Sequence, residues 1–502
     1  MKVIWQKLHK LGNLLHIPDV PNWLLIVLSL VFLLRVPSYF EPYYYGDEMI
    51  YMTLGEGVRQ GMTLYKDVHD NKPPLLYFMA AASGNLFWFK VMLTFWMLIT
   101  IYVFYKLTKI ILNKNERAQK ISTLLFALLT TLPLLEGLTI NSELFMIIFT
   151  LAAFLILLKD RPSFSKIYLS GFLLGMGALF KIPAAFDAPI IVFYWIITGS
   201  LKNWKEILKN TTVLALGFAS PIALTFAWYF FRGALPEYIK AAFMQNVGYL
   251  SSFRPEDVQK PFLVRNAPLL IRGFVVMLGS SILFVFRKRL SKRFILLSLW
   301  ILFTLFAITL SERPYPHYLI QAVAPVSILF SLLLTERNIE QSLTVVPLTL
   351  FFFVPVYYGF WIYPTASYYL RFTNLITHNI TKEEYLNSFS KNTSRNYKIA
   401  EFLTHSSYKT DRVFVWSPDS ASIYALSKRM PPTKYVADYH VYDYSSKSIE
   451  AEKMASNPPK FIILSNSYPF PELDPLLKDN YILVNQIEDA NIYSRIDFAP
   501  SK

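Results

Sequence analysis

Two short stretches hold the residues whose types and spacing best suit chemistry. The first is Tyr43-Tyr44-Tyr45-Gly46-Asp47-Glu48 and the second is Val68-His69-Asp70-Asn71-Lys72-Pro73-Pro74. Together they form the densest group of carboxylates in the first half of a very apolar chain. A carboxylate such as Asp47 can take a proton from a hydroxyl as general base. A lysine such as Lys72 can hold a phosphate while charge develops on it. Spacing alone leaves a plainer reading open, because acids are also favoured at the positive end of a helix. Asp47 sits where an N-cap belongs, with Glu48 beside it. Asp70 reads equally as a capping acceptor before Pro73 and Pro74, which suit a first helical turn.

Three further places carry charge in an apolar setting. Lys181 closes the Gly-rich run Gly171-Phe172-Leu173-Leu174-Gly175-Met176-Gly177-Ala178-Leu179-Phe180. Its glycines allow close helix packing, and Lys181 either snorkels to headgroups or binds a phosphate. Arg313, Tyr315 and His317 form an aromatic and cationic loop, either an interfacial belt or a second phosphate contact. Glu143, after Asn141-Ser142, reads as a helix cap. Asp67-Val68-His69-Asp70 lacks a second group of ligands, so no metal site is assigned. No Walker A, GxSxG or HExxH pattern occurs. No cofactor is expected, and dependence on a divalent metal is left open.

The elements that must hold these residues follow from composition. The chain of 502 residues is 54% hydrophobic, 17% aromatic and only 17% charged. Soluble chains average about 25% charged residues. The mean hydropathy is +0.35, and the apolar runs approach the length that crosses a bilayer. The net charge of +15 lies almost wholly before residue 363: residues 1–362 carry 33 basic against 19 acidic groups, and 363–502 carry 16 against 15. Most of the excess falls in short loops between apolar runs, as the positive-inside rule requires, and not on a nucleic-acid surface. The run Arg287-Lys288-Arg289-Leu290-Ser291-Lys292-Arg293 is one such anchor. There is no cysteine, which excludes disulfides and thiolate metal sites.

Topology can be counted from these loops. Lys2, Lys7 and Lys10 place the first span, 23–36, as entering from the cytoplasm, and no signal-peptide cleavage site follows Leu34. The 37–72 loop is then outside. Within it, 47–60 reads as a short helix with an apolar stripe of Ile50, Leu54 and Val58, stopped by Gly61. Residues 75–88 are short for a span, and only one crossing fits between Lys72 and the basic residues after 106. That makes 75–88 a second interfacial helix and 91–112 the second span. Alternation then gives 121–135, 144–158, 167–180, 188–198, 212–231, 268–286, 294–310, 318–334 and 345–362, about eleven spans in all. Residues 1–362 form the transmembrane domain. After Tyr363 the pattern changes to short β-rich runs (412–416, 460–464, 481–484, 492–496) and helical runs (420–426, 447–456). This reads as an extracytoplasmic α/β domain over 363–502.

These residues resemble a known group. Asp47-Glu48, then Leu64-Tyr65-Lys66-Asp67 and Asp70-Asn71-Lys72-Pro73-Pro74-Leu75, are similar to the first extracytoplasmic loop of the protein O-mannosyltransferase-like and aminoarabinose transferase-like GT-C glycosyltransferases. The Leu179-Phe180-Lys181-Ile182-Pro183 ending and Arg313-Pro314-Tyr315-Pro316-His317-Tyr318 also look like family segments. The resemblance covers roughly 20–335. In the aminoarabinose branch an acid directly precedes the loop lysine; here Asn71 does, with Asp70 one position earlier.

The resemblance implies a polytopic α-helical GT-C fold with two helices along the outer membrane face and a polyprenyl-phosphate-linked sugar as donor. It matches Asp47 to the base, with Asp70 and Glu48 as accompanying acids. Lys72, Lys181, Arg313, Tyr315 and His317 are the expected donor-phosphate contacts. The expectation is an inverting transferase of the cell envelope, in the plasma membrane, acting on a glycan, lipid or protein hydroxyl. Membrane lipids are partners and nucleic acid is not. A transporter or flippase of lipid-linked sugars is the alternative. It requires charges within spans or broken helices at the midplane, whereas these ionisable residues gather at span ends. An oligosaccharyltransferase-like enzyme lacks support, since the tail has no Trp-Trp-Asp string.

Overall fold

The computed structural model describes residues 20–159, 162–200, 203–248 and 260–498. Lys2, Lys7 and Lys10, used in the topology count, lie outside these residues. A helix occupies each of the eleven apolar runs read from the sequence. Six, Asn22–Phe40, Leu86–Leu112, Trp204–Phe231, Ala267–Phe286, Pro316–Thr335 and Ile339–Tyr357, are long and apolar enough to cross a bilayer. Ser142–Leu157 and Ile182–Thr198 are shorter apolar helices. Large apolar side chains face outward along them, with Phe231 at 84% and Val356 at 81% exposure. No water-facing surface tolerates such a stripe, and a bilayer solvates it. The chain is an integral membrane protein.

The helix boundaries correct the sequence reading at one place that matters. Residues 75–88 are not one element. A helix runs over Leu75–Ser83, Gly84 takes φ +71° as its cap, and Leu86 already begins the 27-residue Leu86–Leu112 helix. Trp88 therefore belongs to the long helix. A side chain at Gly84 would strike the Arg59 guanidinium, and Arg59 donates to the Ala81 carbonyl at 3.2 Å. The break is set by glycine and held by that arginine.

The chain folds as two compact units: the described residues of 1–39, 90–222 and 250–365, and those of 40–89, 223–249 and 366–502. In the first, the glycine-rich run packs as its composition predicts. Gly171 and Gly175 lie against the backbone carbonyls of Leu214 and Phe218, so close that a Cβ would overlap them. Of its buried ionisable groups, Arg35, Lys90, Glu136, Glu143 and His317 stand near helix ends or in the turns beside them, whereas Asp187 lies within the Ile182–Thr198 run and accepts from Thr150, halfway along the Ser142–Leu157 helix, at 2.6 Å.

The second unit contains a four-stranded sheet: β1 Val413–Trp416, β2 Phe461–Ser465, β3 Tyr481–Ile487 and β4 Ala490–Arg495, in the order β1-β2-β4-β3. β1 and β2 are parallel, β4 runs antiparallel to both β2 and β3, and the β3–β4 register shifts between Leu483 and Asn485. Phe414, Trp416, Ile462, Phe470 and Tyr481 fill the core beside it. This unit also takes in the Gly46–Arg59 and Leu75–Ser83 helices. The apolar stripe understates the burial of the first: every residue from Glu48 to Gly57 is buried. Thr53 Oγ1 donates to the Met49 carbonyl at 2.8 Å and lies 3.2 Å from that of Ala421 in the Ser420–Ser427 helix. Gly55 allows backbone-to-backbone approach to Ala80 and Ala81, where a Cβ would stand 2.7–2.8 Å from their atoms.

Candidate active site

Asp47 is not the N-cap the sequence suggested. The helix begins at Gly46 after Tyr45, whose side chain makes no cap, and Asp47 lies inside the first turn. Asp47 Oδ2 accepts from the Tyr51 hydroxyl at 3.1 Å, one turn along the helix. It also stands 3.4 Å from Lys72 Nζ, with its side chain 32% exposed. Glu48, one residue on, is fully enclosed.

Lys72 is shared. Its Nζ lies 3.6 Å from Asp70 Oδ2 as well, and 5.1 Å from the centre of the Tyr51 ring. Asp70 is 1% exposed. Its Oδ1 accepts from the Asn71 backbone N–H at 2.7 Å and its Oδ2 from the Tyr77 hydroxyl at 2.6 Å. Burial opposes ionisation of Asp70. The Lys72 ammonium, His440 and the Tyr77 hydroxyl outweigh it and hold the carboxyl well below the usual range. The same carboxylate, added to burial, keeps the Tyr77 phenol protonated and donating.

The loop carrying these groups is fixed from several sides. Tyr65 holds φ +75°, an uncommon conformation for a bulky residue. Its buried ring packs 5.3 Å from both Tyr229 and Tyr238, and its hydroxyl donates to the Lys72 carbonyl at 2.8 Å. Asn246 donates to the Asn71 carbonyl at 2.6 Å, and Asn71 Nδ2 to the Tyr444 hydroxyl at 3.1 Å. The His69 backbone N–H donates to the Lys434 carbonyl at 2.9 Å. An ammonium held between two carboxylates by such a frame is pre-organised for an anion or a polar substrate.

The other expected contacts lie in the first unit. Lys181 Nζ pairs with Glu143 Oε1 and stands 3.7 Å from the centre of the Tyr318 ring. Glu143 is therefore no cap: Asn141 precedes the Ser142–Leu157 helix, and Glu143 turns to the lysine. His317 Nδ1 pairs with Glu136 Oε2, which also accepts from Asn141 Nδ2 at 3.3 Å. The Tyr315 ring stacks 5.6 Å from that of His317. Arg313 is exposed.

Sequence reasoning missed Glu136, Tyr51, Tyr77 and His440. Glu136 takes φ +57° after a short 3-10 turn at Pro133–Leu135, and no periodicity marks such a position. Tyr51 carried a signal, lying four residues after Asp47. Among the described residues no group of three His, Asp or Glu could hold a metal ion.

The fold is the GT-C glycosyltransferase fold. The crystal structure of ArnT, the aminoarabinose transferase, from Cupriavidus metallidurans bound to undecaprenyl phosphate matches with a TM-score of 0.57 and 14% identity, covering 96% of this chain and 99% of that one. Its apo form matches with a TM-score of 0.54 and 13% identity, covering 96% and 99%. The archaeal oligosaccharyltransferase AglB from Archaeoglobus fulgidus, in complex with an inhibitory peptide and a dolichol-phosphate, gives a TM-score of 0.45 at 13% identity, covering 95% and 75%. Residues 392–495 match the family described as competence-induced protein Ccs4 C-terminal domain. No curated protein matches the chain.

Proposed function

We propose that this protein is a membrane glycosyltransferase that moves a sugar from a polyprenyl-phosphate donor to a hydroxyl acceptor on the extracytoplasmic face. In this reading the N-terminus is cytoplasmic, the C-terminal α/β domain is extracytoplasmic and the membrane is the plasma membrane. The observation that carries it is the Asp47–Lys72–Asp70 arrangement, in which one carboxylate is open to substrate and the other is buried. The GT-C fold supports it, because solved structures of that fold include one with undecaprenyl phosphate bound.

The chemistry follows from the leaving group. A sugar on a lipid phosphate departs as a stable phosphate, so no general acid is needed, unlike the paired carboxylates of glycoside hydrolysis. Asp47 removes the acceptor proton as the acceptor oxygen attacks the anomeric carbon and the C–O bond to the phosphate breaks. A single displacement inverts the anomeric centre. Lys72 neutralises charge on the phosphate, and Asp70 holds Lys72. Glu48, being enclosed, supports the helix start and does not meet the acceptor. Lys181, Arg313, Tyr315 and His317 are proposed as donor-phosphate contacts within their own unit. Lys181 and His317 exchange their glutamate partners for phosphate oxygens when donor binds.

The test is to incubate the purified protein with a panel of polyprenyl-phosphate sugars and follow release of the polyprenyl phosphate. Consumption of one donor, lost in Asp47→Asn, supports the reading. Full activity in Asp47→Asn sinks it.

A further inference from the structure

One group of the acid–lysine cluster comes from far along the chain. His440 lies in the Asp438–Tyr444 helix and is 1% exposed. Its Nε2 stands 3.3 Å from Asp70 Oδ1, yet neither ring nitrogen completes a hydrogen bond among the described residues. The rings around it are Tyr439 at 4.3 Å, His69 at 5.8 Å, Tyr444 at 6.0 Å and Tyr435 at 6.5 Å between centroids. Burial pushes the Tyr435 and Tyr444 phenols up to about 12. Burial, with His440 next, pushes His69 down to about 3 against the pull of Asp70, and Lys434 and Lys240 add to that effect. Glu450 adds to the rise of Tyr435, and Asp70 and Asp443 add to that of Tyr444. The carboxylate that meets the His440 ring itself is Asp70. An imidazole enclosed without a completed hydrogen bond is a costly choice where a phenyl ring would pack as well.

The geometry points to His440 as a positioning residue for the proposed transfer: standing 3.3 Å from Asp70 Oδ1, it keeps Lys72 divided between Asp70 and Asp47. This rests on the reading of Asp47 and Lys72 given above. Lys72 Nζ is 3.4 Å from one carboxylate and 3.6 Å from the other, so a small change in field decides which one holds it. Asp70 Oδ1 sees the Asn71 N–H and the His440 ring, while Oδ2 sees the Tyr77 hydroxyl and Lys72. When the imidazole is taken away, Asp70 Oδ1 keeps only the Asn71 N–H, and Asp70 draws Lys72 toward itself. Asp47 then loses the ammonium that favours its ionised, proton-accepting form. The direction is the same whether the imidazole acts through an N–H or a full charge. His440 does not touch substrate; it acts through Asp70 and Lys72.

The first readout needs no substrate. The full-length protein in detergent is trace-labelled with an amine-acylating reagent, and labelling of Lys72 is normalised to exposed Lys398 by peptide mass spectrometry. His440→Phe, which keeps the ring and removes its nitrogens, lowers Lys72 labelling about threefold, the effect of half a pH unit. His440→Gln, whose amide still reaches Asp70, keeps the wild-type level. His440→Asn, whose shorter amide does not reach, falls with the phenylalanine variant, so the comparison survives if one variant does not fold. In an Asp70→Asn background, His440→Phe changes nothing further. The inference is overturned if His440→Phe and His440→Asn leave Lys72 labelling unchanged, or if the loss persists in the Asp70→Asn background. The second readout is the pH profile of kcat/KM for the donor found above, whose acid limb moves to higher pH in His440→Phe; an unmoved limb overturns the inference. If wild type transfers no sugar, the proposed function fails while the labelling result still decides the coupling.

Discussion

At the scale of single residues, two neighbouring acids take different parts. Asp47 is open and in contact with Lys72, while Glu48 is enclosed in the helix packing. Asp47→Asn therefore lowers kcat by about 10²–10⁴-fold, the range general bases supply, with the melting temperature in detergent unchanged. Lys181→Met raises the donor KM and leaves the acceptor KM nearly unchanged, read from initial rates with each substrate varied. The sequence made Asp47, Asp70 and Lys72 legible as a group because two short acidic stretches stand out against an apolar chain. It did not show that Lys72 is shared, since that depends on a loop held by Tyr65 within it and by Asn246 and Tyr444 from distant parts of the chain. Nor did it show Glu136 or His440, which have no local pattern and acquire partners only on folding.

At the scale of elements, packing and burial make sharper claims than periodicity. Gly55 sits mid-helix, where alanine is normally better by about 1 kcal/mol. Here a Cβ would meet Ala80 and Ala81 backbone at 2.7–2.8 Å, so overpacking wins. Gly55→Ala destabilises the protein by about 1–3 kcal/mol, seen as a lower melting temperature. His69 gives a pH-dependent counterpart. Burial holds its imidazole down to about 3 from an ordinary 6.5. The unfolded chain therefore binds a proton that the folded one refuses, and stability falls as pH drops from 6.5 toward 3. Between pH 7 and pH 5 this loss is about 2 kcal/mol. His69→Phe removes that slope, which paired melts at pH 7 and pH 5 resolve. The helices themselves were legible from apolar run length. The break at Gly84 was not, because 75–88 reads as one apolar run and only the left-handed glycine with Arg59 behind it divides the run.

At the scale of the whole molecule, the six helices long enough to cross a bilayer and the β-rich runs after Tyr363 were visible in hydropathy and charge, whereas the mixed parallel and antiparallel pairing of those strands was not. The grouping was not: the compact unit holding the sheet also holds residues 40–89 and 223–249, an association no linear composition can reveal. It places the acid–lysine loop and the C-terminal sheet in one unit, with Asn71 bonded to Tyr444 and His69 to Lys434.

The most direct measurement is release of polyprenyl phosphate from a panel of polyprenyl-phosphate sugars by purified wild type and Asp47→Asn, side by side at neutral pH. A base at Asp47 predicts turnover of at least one donor by wild type and loss of that turnover in the variant, with both proteins equally folded. Equal release by the two proteins would contradict it.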